Sequence, residues 1–324
     1  MRRYEAGARE EAIRSMDIAF PSWDGKSTIH GMVWYPAGKP VGAVQLIHGM
    51  SEHIGRYDPF ARFLASHGFV VGGHDHIGHG LTVSSPEELG HMPPEGGADI
   101  LVEDVHTMRQ IMEDAFPGVP YFIFGHSMGS FTLRVYLTRR GAGLSGAILC
   151  GTGHKPSVVS LAGNRIAKLG ALVRGEKAKS NLVHAMADGA FARSVPDART
   201  EYDWISADRD NVDEYIADDL NGFPFTLGGY ASLMELVYLA SSLELAKCIP
   251  NELPLLFVSG AKDPVGDNGQ GVHEAAQLMR DSGAHDVDVI LYDGMRHEIL
   301  NETEFRVVFD DILAWIEAIL SEHQ

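Results

Sequence analysis

The chain has 324 residues, 45% hydrophobic and 22% charged, the composition of a globular protein with room for one large α/β domain or two smaller ones. Its net charge of −18 argues against nucleic acid as a partner and against charge-driven adsorption to anionic membranes, so any lipid contact would use apolar surface. Two cysteines, Cys150 and Cys248, make no disulfide framework and fit a cytoplasmic setting.

The start, "MRRYEAGAREEAIRSMD", lacks the apolar stretch of a secretory signal. The first strands, around "MDIAF" (16–20) and "HGMVWYP" (30–36), read as an antiparallel hairpin at a sheet edge. Six short apolar runs bounded by Gly, Pro or Asp then read as buried strands: 43–48, 69–73, 121–125, 146–150, 254–260 and 288–292. Between them, helical patterns run over 57–68, 99–116 and 128–141, and a last helix over 301–320 opens with Asn301 as its expected N-cap. Strands alternating with helices predict a mostly parallel sheet covered on both faces.

The alternation breaks from 153 to 228, which shows helical patterns and no convincing strand. The expected division is a core from 1 to 152, a helical cap or lid insertion from 153 to 228, and the rest of the core from 229 to 324. The plainer alternative is a small second domain unrelated to the site. Between Gly222 and Leu243 the chain is apolar, but its glycines, serines and Pro224 favour a loop followed by a buried helix over a membrane span. No transmembrane segment is expected.

"YFIFGHSMGSF" holds Gly125-His126-Ser127-Met128-Gly129, a G-x-S-x-G directly after a strand and directly before a helix. That context is a nucleophile elbow. Side chains at either glycine would clash, and the helix N-terminus turns free N–H groups toward the reacting oxygen. A serine needs a base, and in this architecture the acid and then the histidine follow it along the chain. Asp263 lies just past one strand and His297 just past the next, giving the order Ser127, Asp263, His297. Asp267 and Asp293 are alternative acids. The oxyanion donors should be the backbone N–H of Met128 and, from the loop "HGMSEH", that of Met50.

"GGHDHIGHG" (72–80) raises a metal site, because it packs His74, Asp75, His76 and His79 together. Metallo-hydrolase runs of this type carry a carboxylate where this chain has Gly78, so these residues read as a hydrogen-bonding scaffold for the site floor. No metal and no cofactor are expected.

These stretches resemble the α/β-hydrolase superfamily, and within it monoacylglycerol lipases, lysophospholipases and S33-type hydrolases. The resemblance is carried by "HGMSEHIGRYDPFARFLASHG", "GHDHIGHG", "FPGVPYFIFGHSMGS", "SGAKDPV" and "GMRHEILNE". It implies catalysis by Ser127, Asp263 and His297, oxyanion donors at Met50 and Met128, and substrate contacts from Gly49, Glu52 and His126. The elbow departs from the family by ending Gly129-Ser130 rather than in two glycines. The insertion shows no specific resemblance, which leaves substrate choice open. The apolar residues of 223–239 would line an acyl pocket or simply be core.

The implied activity is a serine carboxylic-ester hydrolase taking a small acyl ester, lipid esters included. A serine aminopeptidase or thioesterase on the same fold is the alternative; a peptidase would need a carboxylate for the substrate amine, with Glu52, Asp75 and the acids of 208–219 available. A metal-dependent hydrolase and a non-catalytic receptor are further alternatives. The sequence carries no signal for oligomeric state.

Overall fold

A computed structural model of the chain describes residues 8–180, 183–185, 189–196 and 198–322. Its eight strands are β1 (Arg14–Pro21), β2 (Thr28–Tyr35), β3 (Gly42–Ile47), β4 (Phe69–His74), β5 (Tyr121–His126), β6 (Gly146–Cys150), β7 (Leu255–Gly260) and β8 (Val287–Tyr292). They form one sheet in the order β1-β2-β4-β3-β5-β6-β7-β8. β1 and β2 pair antiparallel, β2 runs antiparallel to β4, and every later pairing is parallel. The hairpin closes because Asp24 Oδ1 accepts from the Lys26 and Ser27 amides, both at 2.7 Å, beside Gly25 at φ 69°.

Strands β3–β7 are buried on both faces, and their residues alternate between two cores. Tyr121 and Ile123 join one, Phe122 and Phe124 the other. Helices α2 (Gly97–Ala115), α3 (Met128–Arg140), α6 (Leu227–Ala240) and α7 (Gln270–Ser282) cover the first face; α1 (Asp58–Ser66) and α8 (Phe305–Glu322) cover the second. On that second face Phe309 packs on Phe60 and Phe63, with ring centroids 4.8 and 5.2 Å apart. Each such fully buried ring contributes about 1.5–3 kcal/mol.

Gly72 and Gly73 serve close packing. A Cβ on Gly72 would lie 2.5 Å from Met112 Sδ, and one on Gly73 would lie 2.3 Å from Ile54 Cδ1.

Between β6 and α6 the described residues hold helices α4 (Ser157–Arg174) and α5 (Arg209–Ala217), a short turn at Gly189–Ala192 and one isolated bridge, Lys179 to Thr226. The expected break at 228 falls inside the first turn of α6. Phe225, Tyr230 and Leu236 are fully buried in the main core, so the apolar run at 223–239 is largely core.

One expectation is corrected. Asn301 does not cap the last helix: it ends a 3₁₀ turn, Ile299–Asn301, and α8 starts at Phe305. Glu302 is the cause. Its buried carboxylate accepts from the Arg296, Ala207 and Asp208 amides at 2.8, 2.9 and 3.2 Å, and this draws the chain inward before the helix can begin.

Candidate active site

In this sheet order β3 lies between β4 and β5, so the connections after β3 and β5 leave in opposite directions. A crevice opens at such a point, at the C-terminal ends of the strands. His48–Met50 follow β3 there, and Ser127 follows β5.

Ser127 sits at φ 53°, ψ −120°, a conformation that non-glycine residues rarely adopt. Its amide donates to Cys150 O at 2.9 Å, and its carbonyl accepts from Ser130 N at 2.8 Å and Ser130 Oγ at 2.6 Å. Ser130 therefore stabilises the turn where a second glycine would offer no side chain. The two motif glycines are required sterically. A Cβ on Gly125 would lie 2.5 Å from Gly129 O, and one on Gly129 would lie 2.2 Å from Ile47 O.

Asp263 and His297 meet. His297 Nδ1 and Asp263 Oδ2 are 2.9 Å apart, and both side chains are buried. Asp263 also accepts from Val265 N at 2.9 Å and Ser259 Oγ at 3.1 Å. Burial opposes its charge, but His297 and these donors hold its pKa below the ordinary carboxylate value. The end of β6 lies between this pair and the serine. Cys150 O holds the Ser127 amide, and a Cβ on Gly151 would stand 3.1 Å from His297 Cε1. The alternative acids, Asp267 and Asp293, make no such contact with His297 among the described hydrogen bonds.

Met128 is the first residue of α3, so its amide has no acceptor within the helix. Met50 is fixed from both sides. The Gly49 amide donates to Glu52 Oε1, and Ser51, at φ 54°, accepts at its carbonyl from Gly222 N and Tyr215 OH, both at 2.9 Å. Gly49 leaves room for this approach: a Cβ there would lie 3.0 Å from Ser127 Cβ and 2.7 Å from Glu52 Oε1.

Glu52 and His126, expected to contact substrate, are both buried. Glu52 is 3% exposed, and its carboxylate is engaged by Gly49 N, Tyr57 OH at 2.8 Å, Arg56 at 3.0 Å and His126 Nδ1 at 3.2 Å. Burial would raise its pKa, but His126 and Arg56 hold it well below the ordinary value. His126 has the reverse balance: burial opposes its charge, and Glu52 nevertheless raises its pKa. The pair packs under Gly49, where an added Cβ would lie 2.7 Å from Glu52 Oε1 and 3.3 Å from His126 Nδ1.

Three further residues were not legible in the sequence. Arg56 bridges Glu52 to Glu298, the residue after His297, with its Nη2 2.8 Å from Glu298 Oε2. Asn211 of α5 joins the same carboxylate at 2.8 Å. Trp204, also from the insertion, lies on the His297 ring with centroids 5.2 Å apart, and Glu298 N donates to Ile205 O at 2.7 Å. The i,i+4 spacing of Glu52 and Arg56 was the one available signal.

The histidine cluster is a packed floor, and only part of it is hydrogen-bonded as expected. Asp75 accepts from Ile54 N at 2.8 Å and Leu81 N at 2.9 Å, and pairs with His30 at 2.8 Å. His48 donates from Nδ1 to Gly49 O and accepts at Nε2 from the His76 amide. By contrast, the ring nitrogens of His74 and His76 hydrogen-bond to no described protein atom. The rings pack on one another instead, tilted for His48–His76 with centroids 4.4 Å apart and edge-on for His74–His76 at 5.2 Å. Burial keeps them neutral and pushes the pKa of His74 and of His79 down to about 3. Among the described residues no group of three or more His, Cys, Asp or Glu is placed to hold a metal ion.

The chain is similar to lipases and esterases of known sequence and structure. A monoacylglycerol lipase of Mycolicibacterium smegmatis is 29% identical over 88% of this chain and 91% of its own. A monoglyceride lipase of Mus musculus is 26% identical over 87% and 84%. The crystal structure of a thermostable carboxyl esterase from Bacillus coagulans, in complex with glycerol, superposes with a TM-score of 0.88 at 32% identity, covering 94% of this chain and 99% of that one. Residues 38–304 match the family described as serine aminopeptidase, S33. The chain therefore belongs to the S33 serine aminopeptidase family, a hydrolase on the α/β-hydrolase fold.

Proposed function

We propose that the protein hydrolyses carboxylic esters of the monoacylglycerol or lysophospholipid type through Ser127, His297 and Asp263. The observation that carries this reading is the buried 2.9 Å pair of Asp263 and His297 beside a serine held at φ 53°. The names of the relatives support the ester class.

In this mechanism His297 takes the Ser127 proton as Oγ attacks the ester carbonyl. Asp263 fixes the Nδ1–H tautomer and stabilises the imidazolium. The Met50 and Met128 amides hold the oxyanion. His297 then protonates the leaving alcohol, and water, deprotonated by the same imidazole, releases the acid. Residues 153–228 act as the cap, a role supported by Trp204 lying on His297.

The family description makes an aminopeptidase the second reading. A peptidase needs a carboxylate free to hold the substrate amine; Asp210, Glu214 and Asp219 are exposed on the insertion, and the other candidates are engaged. Glu52 and Asp75 are buried in hydrogen bonds, Asp208 caps α5, Asp213 pairs with Arg199, and Asp218 pairs with His53. This favours the ester. No helix among the described residues is long and apolar enough to cross a membrane, and the two free cysteines fit the proposed cytoplasmic setting.

The test is a chain-length series of monoacylglycerols and lysophospholipids run beside acyl thioesters and aminoacyl anilides. Ester turnover should dominate, and Ser127→Ala should abolish both turnover and fluorophosphonate labelling while leaving the thermal melt unchanged. Faster release of anilide than of any acyl ester would overturn the ester reading.

A further inference from the structure

Arg134 is a buried cation whose partners carry no charge. It lies in the middle of α3, 1% exposed, and its guanidinium donates to two backbone carbonyls: Nη1 to Gly153 O at 2.8 Å and Nη2 to Ala240 O at 2.6 Å. Gly153 lies just past β6, where the insertion leaves the sheet, and Ala240 ends α6, the helix on which the chain returns. The other well-buried arginines have carboxylates: Arg56 pairs with Glu52 and Glu298, and Arg109 with Glu113. Among the described residues no carboxylate does this for Arg134. Burial alone acts on its pKa and lowers it to about 10, so the group is charged at neutral pH. A buried charge without a counter-charge is costly.

Outside the histidine floor, the buried side-chain polar atoms without a hydrogen-bond partner among the described residues are Arg134 Nε, Thr152 Oγ1, His154 Nδ1, Ser241 Oγ, Asn221 Oδ1 and Glu235 Oε2. The first four gather around one guanidinium. Thr152 and His154 flank Gly153, and Ser241 follows Ala240, the two residues that Arg134 grips. Burial and then the Arg134 charge lower the pKa of His154, which places that ring close to the cation. All four groups can donate a hydrogen bond. A water would accept from them and leave the charge unbalanced; an anion answers both. The packing is tight: a Cβ on Gly153 would lie 2.5 Å from Val265 O, and one on Gly266 would lie 3.0 Å from Thr152 O. A single atom of single charge suits such surroundings better than a carboxylate or a phosphate.

We propose that Arg134 Nε, Thr152 Oγ1, Ser241 Oγ and His154 Nδ1 form an internal binding site for a monovalent halide ion, chloride under ordinary conditions. The ion completes a joint. It ties α3, which begins at the residue after Ser127, to the start of the insertion and to the C-terminal end of α6. Val265, whose carbonyl packs on Gly153, donates its amide to Asp263, so the joint adjoins the loop of the proposed acid. The inference stands apart from the proposed chemistry, because occupancy is read without turnover.

For the experiment the full chain is purified in sodium gluconate and its crystals are grown in sodium bromide. An anomalous difference peak at the bromine edge should stand in contact with Arg134 Nε. In solution the thermal midpoint should rise with bromide or chloride over gluconate at equal ionic strength, following a one-site curve. Ser241→Ala and Thr152→Val should each weaken the halide affinity read from that curve by on the order of tenfold, the usual worth of one hydrogen bond to a charged group. Arg134→Met should lose the halide response altogether; if that variant does not fold, the two hydroxyl variants decide. The proposal is overturned if the density beside Nε is a water without anomalous signal, or a carboxylate of the chain itself. It is equally overturned by a peak in the crystal with no halide response of the midpoint, which is binding at crystal concentration only, and by hydroxyl variants that titrate as wild type does.

Discussion

At the scale of single residues, the site concentrates unfavourable conformations and buried charge in few places. Holding Ser127 at φ 53° costs on the order of 1–3 kcal/mol, offset by the Cys150 and Ser130 hydrogen bonds around it. On the proposed mechanism, Asp263→Asn should keep the fold and lower kcat by about 10³–10⁴, because the amide would no longer select the tautomer that the proposed base His297 needs; steady-state kinetics with a soluble ester checks this. Arg56→Met should cost about 3–5 kcal/mol in urea unfolding, since it leaves the Glu52 and Glu298 carboxylates buried without their shared cation. Ser127, Asp263 and His297 were legible because each follows a readable strand in a fixed chain order. Arg56 with Glu298, and Trp204 with His297, were not. Those partners are far apart in sequence, and only the folded sheet edge brings them together.

Among the elements, the strands were legible almost to the residue, because parallel strands buried on both faces read as short apolar runs between turn formers. The start of α8 was misplaced because a local capping signal at Asn301 competes with the tertiary pull on Glu302. The elbow gives an element-scale prediction. Gly129→Ala would put its Cβ 2.2 Å from Ile47 O, so β3 and α3 must separate; a loss of at least about 1–3 kcal/mol is expected, with activity falling alongside stability because Met50 and Met128 lie on the two displaced segments. Thermal unfolding and the kinetics of the same sample read both effects.

For the whole molecule, the histidine floor sets a limit in acid. The folded pKa values of His74 and His79, about 3, lie below the ordinary 6.5, so the unfolded chain binds more protons between those values. Their contribution to stability is complete above pH 6.5 and is lost as pH falls toward 3, at up to about 1.4 kcal/mol per pH unit for each histidine. His126, with its raised pKa, has the opposite sign: its contribution is complete below the ordinary value and is lost as pH rises through the folded one. The floor therefore dominates in acid, and urea titrations between pH 7 and 4 should show steep loss. His74→Phe should flatten that slope and cost little at pH 7, since neither ring nitrogen bonds to a described protein atom. The histidines of "GGHDHIGHG" pack ring against ring. Sequence showed four ionisable residues close together; what it could not show is that burial keeps the imidazoles uncharged.

Trp204 has an optical consequence. The chain holds four tryptophans, and this one lies with its ring centroid 5.2 Å from the imidazole of His297. An imidazolium within 5.2 Å of a tilted indole ring would quench its emission. Each proposed transfer of the Ser127 proton would therefore dim one fluorophore and, for that interval, tighten the grip of the insertion on the loop that holds the base.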